Sequence, residues 1–190
     1  MRNPFRRKNL RARFALWFAL GALILYASSP TSLSLALGSI PIAFGLGLRA
    51  WGVGHLLKNG ELTITGPYAH LRHPLYAGTL AIGIGFALGV GGLFAPAVCA
   101  GLLAWFFGSY FPRKDRSEGA RLESLYGAAY TAYRERVPAL WPRFRRRETA
   151  AGPGRGWSLG RFSENNELGT ELAVLAGWGL LAFRLSVASA

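Results

Sequence analysis

Long apolar blocks separated by short polar stretches constrain this chain more than any other feature. They cover residues 14–27, 35–54, 75–90, 93–111 and 168–187. A helix needs about 17–25 mostly apolar residues to cross the hydrocarbon core of a bilayer. Blocks of this kind, rather than an apolar stripe of helical period, mark an integral membrane protein. The expected fold is all-α: one polytopic membrane domain with about five transmembrane helices. Hydrophobic residues make up 51% of the chain and charged ones 16%.

The net charge of +13 raises the question of a nucleic-acid partner. The basic residues, however, lie beside the apolar blocks, as Lys and Arg do on cytoplasmic loops, and this argues against nucleic acid. Arg2, Arg6, Arg7, Lys8, Arg11 and Arg13 precede the first block, so a cytoplasmic amino terminus in an inner membrane is expected. A secretory signal peptide has the same basic start, short apolar core and small residues such as Ala27, Ser28 and Ser29. The further apolar blocks favour a retained first helix. Cys99, the single cysteine, lies inside an apolar block, which excludes an intrachain disulfide.

The organisation expected within 1–190 is a basic tail at 1–13, a four-helix membrane core at 14–111, a cytoplasmic covering segment at 112–142, a basic linker at 143–167 and a last membrane helix at 168–190. Gly45, Gly47, Gly52 and Gly54 in the second block, and Gly85 and Gly89 in the third, permit close approach of another helix. Gly91 and Gly92 make a turn so short that the third and fourth blocks form an antiparallel hairpin. Arg49 is expected to snorkel to the interface or to face an internal cavity, with snorkelling favoured. Arg184 lies near the outer end of the last block and reaches water there. Arg143, Arg145, Arg146 and Arg147 form a basic patch suited to anionic headgroups, and residues 152–156 read as a flexible linker.

Two polar stretches stand out. Residues 65–78, TGPYAHLRHPLYAG, place Arg72, His70, His73, Tyr68 and Tyr76 directly before an apolar block. The turn signal of Gly66 and Pro67, together with Pro74 acting on His73, predicts irregular backbone between them. Irregular backbone is tolerated at membrane depth only where protein or a watery cavity satisfies its amides. The second stretch, 113–137, has clear amphipathic helical period. Glu118, Leu122, Tyr126, Tyr130, Tyr133 and Val137 fall on one face, which must at least pack against the membrane domain.

Arg72, His73, Pro74 and Tyr76, preceded by Gly66, Pro67 and Tyr68, resemble the RHPxY motif of the isoprenylcysteine carboxyl methyltransferase and phospholipid methyltransferase families. The second half of that signature is similar to Glu118, Leu122, Tyr126, Gly127, Tyr130, Tyr133, Val137 and Pro142. The family has two adjacent acids where this chain has Glu118 and Gly119, so the second acid is missing or supplied by Glu123.

The resemblance implies a membrane enzyme whose cytoplasmic amphipathic helix covers a pocket for S-adenosylmethionine (SAM). It would methylate a lipophilic acceptor, a carboxylate, amine or thiol, that arrives from the bilayer. Arg72 and Glu118 become the candidate catalytic residues. Tyr68, His73, Pro74, Tyr76, Glu118, Leu122, Tyr130 and Tyr133 become the candidate cofactor contacts. Membrane lipids are the expected surroundings, and no obligate protein partner is implied. The alternative is an NADPH-dependent membrane reductase of the sterol reductase type. A metal site at His55, His70 and His73 lacks a nearby carboxylate or thiol in the sequence and is not expected.

Overall fold

The structure is a computed structural model that describes residues 4–57, 61–142, 156–165 and 167–188, with the backbone alone described at 4–14, 17 and 188. The expected basic patch at 143–147 and most of the linker at 152–156 therefore lie outside the described residues. The protein is an all-α polytopic membrane protein. Its elements are α1 (Pro4–Ala27), α2 (Ser32–His55), a 3₁₀ turn (Gly66–Ala69), α3 (Pro74–Gly89), α4 (Phe94–Trp105), a π turn (Phe106–Tyr110), α5 (Phe111–Tyr126), α6 (Ala128–Arg136), α7 (Leu159–Glu164) and α8 (Glu167–Ala188). Three helical stretches are long and apolar enough to cross a bilayer: Ser32–His55, Phe94–Tyr126 and Glu167–Val187. Phe18–Ala27 and Pro74–Gly89 are shorter apolar helices.

The centre of the fold is the antiparallel pair of α2 and α3, the most extensive contact between elements. Glycines make it possible. A Cβ on Gly45 would lie 2.6 Å from the Gly78 carbonyl oxygen, and one on Gly85 would lie 2.5 Å from that of Gly38. Without side chains at the seam, the backbones touch, as membrane helices do at small residues. Gly89 receives the Trp178 ring of α8, and Gly54 receives the indole of Trp157. Gly47, expected to serve the same purpose, faces open space.

Gly91 and Gly92, at φ 67° and 60°, turn α3 into α4 as an antiparallel hairpin. α4 then continues through the π turn into α5 without a break at Pro112, contrary to the boundary expected there. A wider turn ahead of Pro112 accommodates a residue that has no N–H and whose ring would crowd the preceding carbonyl. The amphipathic stretch 113–137 is likewise not one helix. Gly127, at φ 49° and ψ −127°, ends α5 and starts α6.

Arg49 does not snorkel. Its Nε and Nη2 donate to the two carboxylate oxygens of Glu167 at 2.6 and 2.9 Å, and its Nη1 donates to Thr79 Oγ1 at 2.7 Å and to the Leu75 carbonyl at 3.3 Å. The guanidinium thereby ties α2, α3 and the start of α8 together. Arg184, expected to reach water, donates to the Tyr26 carbonyl through Nη2 at 3.4 Å, while its Nε is buried.

The carboxyl end of α2 is capped from far downstream. Trp157 Nε1 donates to the Ala50 carbonyl, the Ser158 amide to Gly54, and Asn165 Nδ2 to Val53 and Leu56, at 3.0 to 3.3 Å. These bonds satisfy carbonyls that a helix leaves without partners at its end.

Candidate active site

The two polar stretches meet at one end of the bundle. The bend at 70–73 that Pro74 imposes leaves amides without helical partners, and the segment after α6 supplies them. The Arg72 amide donates to the Pro138 carbonyl at 2.8 Å and the His73 amide to Ala139 at 3.0 Å. Arg72 Nε adds a bond to the Val137 carbonyl at 3.1 Å. The irregular backbone is therefore satisfied by protein, as membrane depth requires.

Above this bend, α5 and α6 close a cavity of about 440 Å³. That falls within the range of small-molecule sites, roughly 300–1,000 Å³. Every candidate residue from the sequence borders it: Tyr68, Arg72, His73, Pro74 and Tyr76 from the first stretch, and Glu118, Leu122, Tyr130 and Tyr133 from the second. The amphipathic stripe thus holds as a surface although the helix carrying it is broken. Val137, the last residue of the stripe, is buried and acts through its carbonyl on Arg72. The connection between α2 and the 3₁₀ turn contributes Leu56, Leu57, Glu61, Leu62 and Thr63, a wall that carried no sequence signal.

Several bonds order the lining. Tyr76 donates its hydroxyl to Glu118 Oε1. Tyr133 donates to the Tyr68 carbonyl at 2.8 Å, and burial pushes both of these phenols well above their ordinary value, so they remain protonated. Arg72 Nη1 lies 3.3 Å from Asp115 Oδ1 and 3.5 Å from the Tyr130 hydroxyl. His73 Nε2 lies 2.7 Å from the same Asp115 oxygen. Burial lowers the His73 pKa from its ordinary value, against the opposing pull of Asp115 and Glu118.

Asp115 is the residue that the sequence reading missed. It sits one turn before Glu118 on the same face of α5, and the spacing alone placed the two acids together. Glu123, the expected substitute for a second acid, is exposed and outside the lining. Gly119 is buried, and a Cβ there would lie 3.4 Å from the Tyr130 hydroxyl. Among the described residues, no group of three or more His, Cys, Asp or Glu side chains is arranged to hold a metal ion.

Fold and cavity together define an all-α membrane protein with a largely apolar, tyrosine-rich chamber that holds a few charged groups, Arg72 and Glu118 among them. The chain is 33% identical over 113 residues to the cobalt-zinc-cadmium resistance protein CzcN of Cupriavidus metallidurans, a match covering 58% of this chain and 50% of that one. It is 30% identical over 145 residues to the nickel-cobalt-cadmium resistance protein NccN of Alcaligenes xylosoxydans xylosoxydans, covering 70% of this chain and 66% of that one. A third similarity, 33% over 85 residues, is to the protein-S-isoprenylcysteine O-methyltransferase of Schizosaccharomyces pombe and covers 45% of this chain and 34% of that one. The chain thus spans half to two thirds of the two resistance proteins and a third of the methyltransferase. No family model matches, and no solved structure matches.

Proposed function

We propose that the protein is a SAM-dependent membrane methyltransferase acting on a lipophilic acceptor that enters from the bilayer, with its site at the cytoplasmic face of an inner membrane. The observation that carries this reading is that Arg72, His73 and Tyr76 border the same cavity as Glu118, Tyr130 and Tyr133. The similarity to the S. pombe methyltransferase supports it. The names of the two resistance proteins indicate a setting and no reaction.

The lining suits SAM in kind. Glu118 and the tyrosines offer an acceptor and π faces to a cation, and aromatic and leucine side chains offer walls to a purine. Arg72, with Nε bonded to the Val137 carbonyl and Nη1 to Asp115 and Tyr130, holds the chamber's shape and places a positive charge in its wall. When bound, SAM supplies an electrophilic methyl group on a sulfonium. The chain's own contribution is to position the two reactants and to exclude water from them.

The test is cofactor binding by the purified protein in detergent, with SAM and NADPH titrated side by side. Loss of a charge-assisted hydrogen bond costs about 1.5–3 kcal/mol, or roughly tenfold or more in affinity. Glu118→Ala and His73→Ala are each expected to weaken SAM binding by that factor or more. NADPH binding with no SAM binding would replace this reading with the reductase, and unchanged SAM affinity in both variants would remove the two assignments.

A further inference from the structure

Among the described residues, the end of the bundle opposite the chamber carries a single charged side chain, that of Arg184. The turn at 90–93 meets the connection from α1 to α2 there, with the Ser29 amide donating to the Val90 carbonyl at 2.9 Å. α8 joins them by setting Trp178 and Leu181 against Gly89. Asp and Glu occur in the chain only at 61 and from 115 to 171, and residues 14–48, 74–112 and 172–183 hold no charged residue at all. Arg184 therefore has no acid to pair with where it sits.

Its hydrogen bonds are as incomplete as its charge pairing. The side chain is half-buried, and its Nε is buried with no partner among the described residues. Nη2 makes one long bond, 3.4 Å, to the Tyr26 carbonyl at the end of α1. A cation suits the carbonyls that end a helix, so capping α1 accounts for that bond. It engages one of the five N–H donors of a guanidinium. Arg49, at the chamber end of the same bundle, bonds Glu167 twice and Thr79 and Leu75 as well. Nη1 of Arg184 is neither buried nor bonded, so the outward edge of its fork is open to an anion.

Depth says which anion. Arg184 follows Glu167 by seventeen residues, about 26 Å along α8. Glu167 is held at the chamber end by Arg49, and the hydrocarbon core of a bilayer is about 30 Å thick, so Arg184 falls near its far boundary, where lipid phosphates lie. Tyr26, 80% exposed beside it, is a residue type that gathers at that level. We propose that Arg184 binds the phosphate of a phospholipid in the leaflet away from the chamber. Nη1 and Nη2 grip two phosphate oxygens, the two-pronged contact that a guanidinium makes with phosphate. The acyl chains lie among the exposed apolar side chains of α1 and α8, such as Leu23, Leu180 and Phe183. The phosphodiester neutralises the lone cation and completes the bonds at the joint between the two helices.

The test uses the full chain in detergent, extended at its carboxyl end by an affinity tag so that the terminal carboxylate is remote from Arg184. Phosphatidylglycerol, the diacylglycerol with the same chains, and inorganic phosphate are each titrated, and native mass spectrometry counts what stays bound. The parent and Arg116→Gln, which alters an exposed cation of α5 at the chamber end, should retain one tightly held phosphatidylglycerol. Arg184→Gln should hold that lipid about tenfold more weakly or worse, the factor expected for a lost hydrogen bond to a charged group. Diacylglycerol and inorganic phosphate should not replace it. Equal retention by the parent and Arg184→Gln, diacylglycerol held as tightly as phosphatidylglycerol, or inorganic phosphate held as tightly would each overturn the proposal. A phosphatidylglycerol with a photoreactive headgroup tests the parent alone, whether or not the variant folds. Cross-links are expected in peptides covering 24–30 or 180–188, and cross-links confined to the chamber end would refute the site.

Discussion

Removing Glu167 from Arg49 should be among the most damaging single changes in the membrane part of the protein. The pair is a two-pronged fork at 2.6 and 2.9 Å, with side-chain exposures of 15% for Arg49 and 4% for Glu167. Breaking a buried pair from one side leaves an uncompensated charge and costs about 3–5 kcal/mol. At about 2–4 °C per kcal/mol for a chain of this size, the midpoint of thermal unfolding should fall by roughly 6–20 °C in Glu167→Met or Arg49→Met. Replacing both residues with Met removes the charge with its partner, a change that is often neutral. Thr79 Oγ1 retains its bond to the Leu75 carbonyl at 2.8 Å, so it is not stranded. The double variant should therefore unfold within a few degrees of the parent, giving a coupling energy above about 2 kcal/mol. Tryptophan fluorescence during heating, in one fixed detergent, measures all four proteins. A snorkelling Arg49 would behave as a surface residue, with changes of about 0.5 kcal/mol or less. Small single effects, or effects that merely add, would refute the buried pair.

Two further outcomes can be checked by the same assay. Gly45→Ala should lower the midpoint by the equivalent of about 1–3 kcal/mol, because its Cβ would press on the Gly78 carbonyl at 2.6 Å, whereas Gly47→Ala, in open space, should be neutral or stabilise by up to about 1 kcal/mol. Stability should also fall on acidification through His73: its folded pKa lies below the unfolded 6.5, so the unfolded chain binds the extra proton first, and the contribution complete above 6.5 is lost as pH falls through the folded value. His73→Gln should flatten that part of a midpoint-against-pH curve, and an unchanged slope would count against the buried neutral ring.

Apolar blocks were sufficient to read an all-α membrane protein, although among the described residues only Ser32–His55, Phe94–Tyr126 and Glu167–Val187 are long and apolar enough to cross a bilayer. It was the family resemblance of the two polar stretches that pointed to Arg72 and Glu118 in one chamber. Both are local properties of the chain. What escaped depended on partners distant in sequence. The insertion cost of Arg49 was evident, but its partner Glu167 lies 118 residues away at the start of a helix whose placement no local pattern encodes. The downstream capping of α2 by Trp157, Ser158 and Asn165 was invisible for the same reason. Asp115 is different. Its helical register with Glu118 was present in the sequence, but the family's pair of adjacent acids points forward to Glu123 and not one turn back.

The break at Gly127 offers a decision by sign. A helical period continues through 113–137 because Tyr126 and Tyr130 both face the chamber, so periodicity alone cannot distinguish one helix from two. The two possibilities predict opposite effects for Gly127→Ala. In the middle of a continuous helix, alanine would stabilise by about 1 kcal/mol. At φ 49° and ψ −127°, a backbone open to glycine and costly for any residue with a Cβ, it should destabilise by about 1–3 kcal/mol. No neighbouring atom lies within 4 Å of a Cβ built there, so the backbone conformation alone carries the effect. Strain at this joint acts on α6, which carries Tyr130 and Tyr133 over the cavity and leads to the carbonyls of Val137, Pro138 and Ala139 that hold Arg72 and His73. Gly127→Ala should therefore lower the unfolding midpoint, speed proteolytic cleavage near residue 127 and weaken ligand binding in the chamber. A rise in midpoint with cleavage suppressed would mean that the helix runs straight through, and that α6 does not fold back as a separate element.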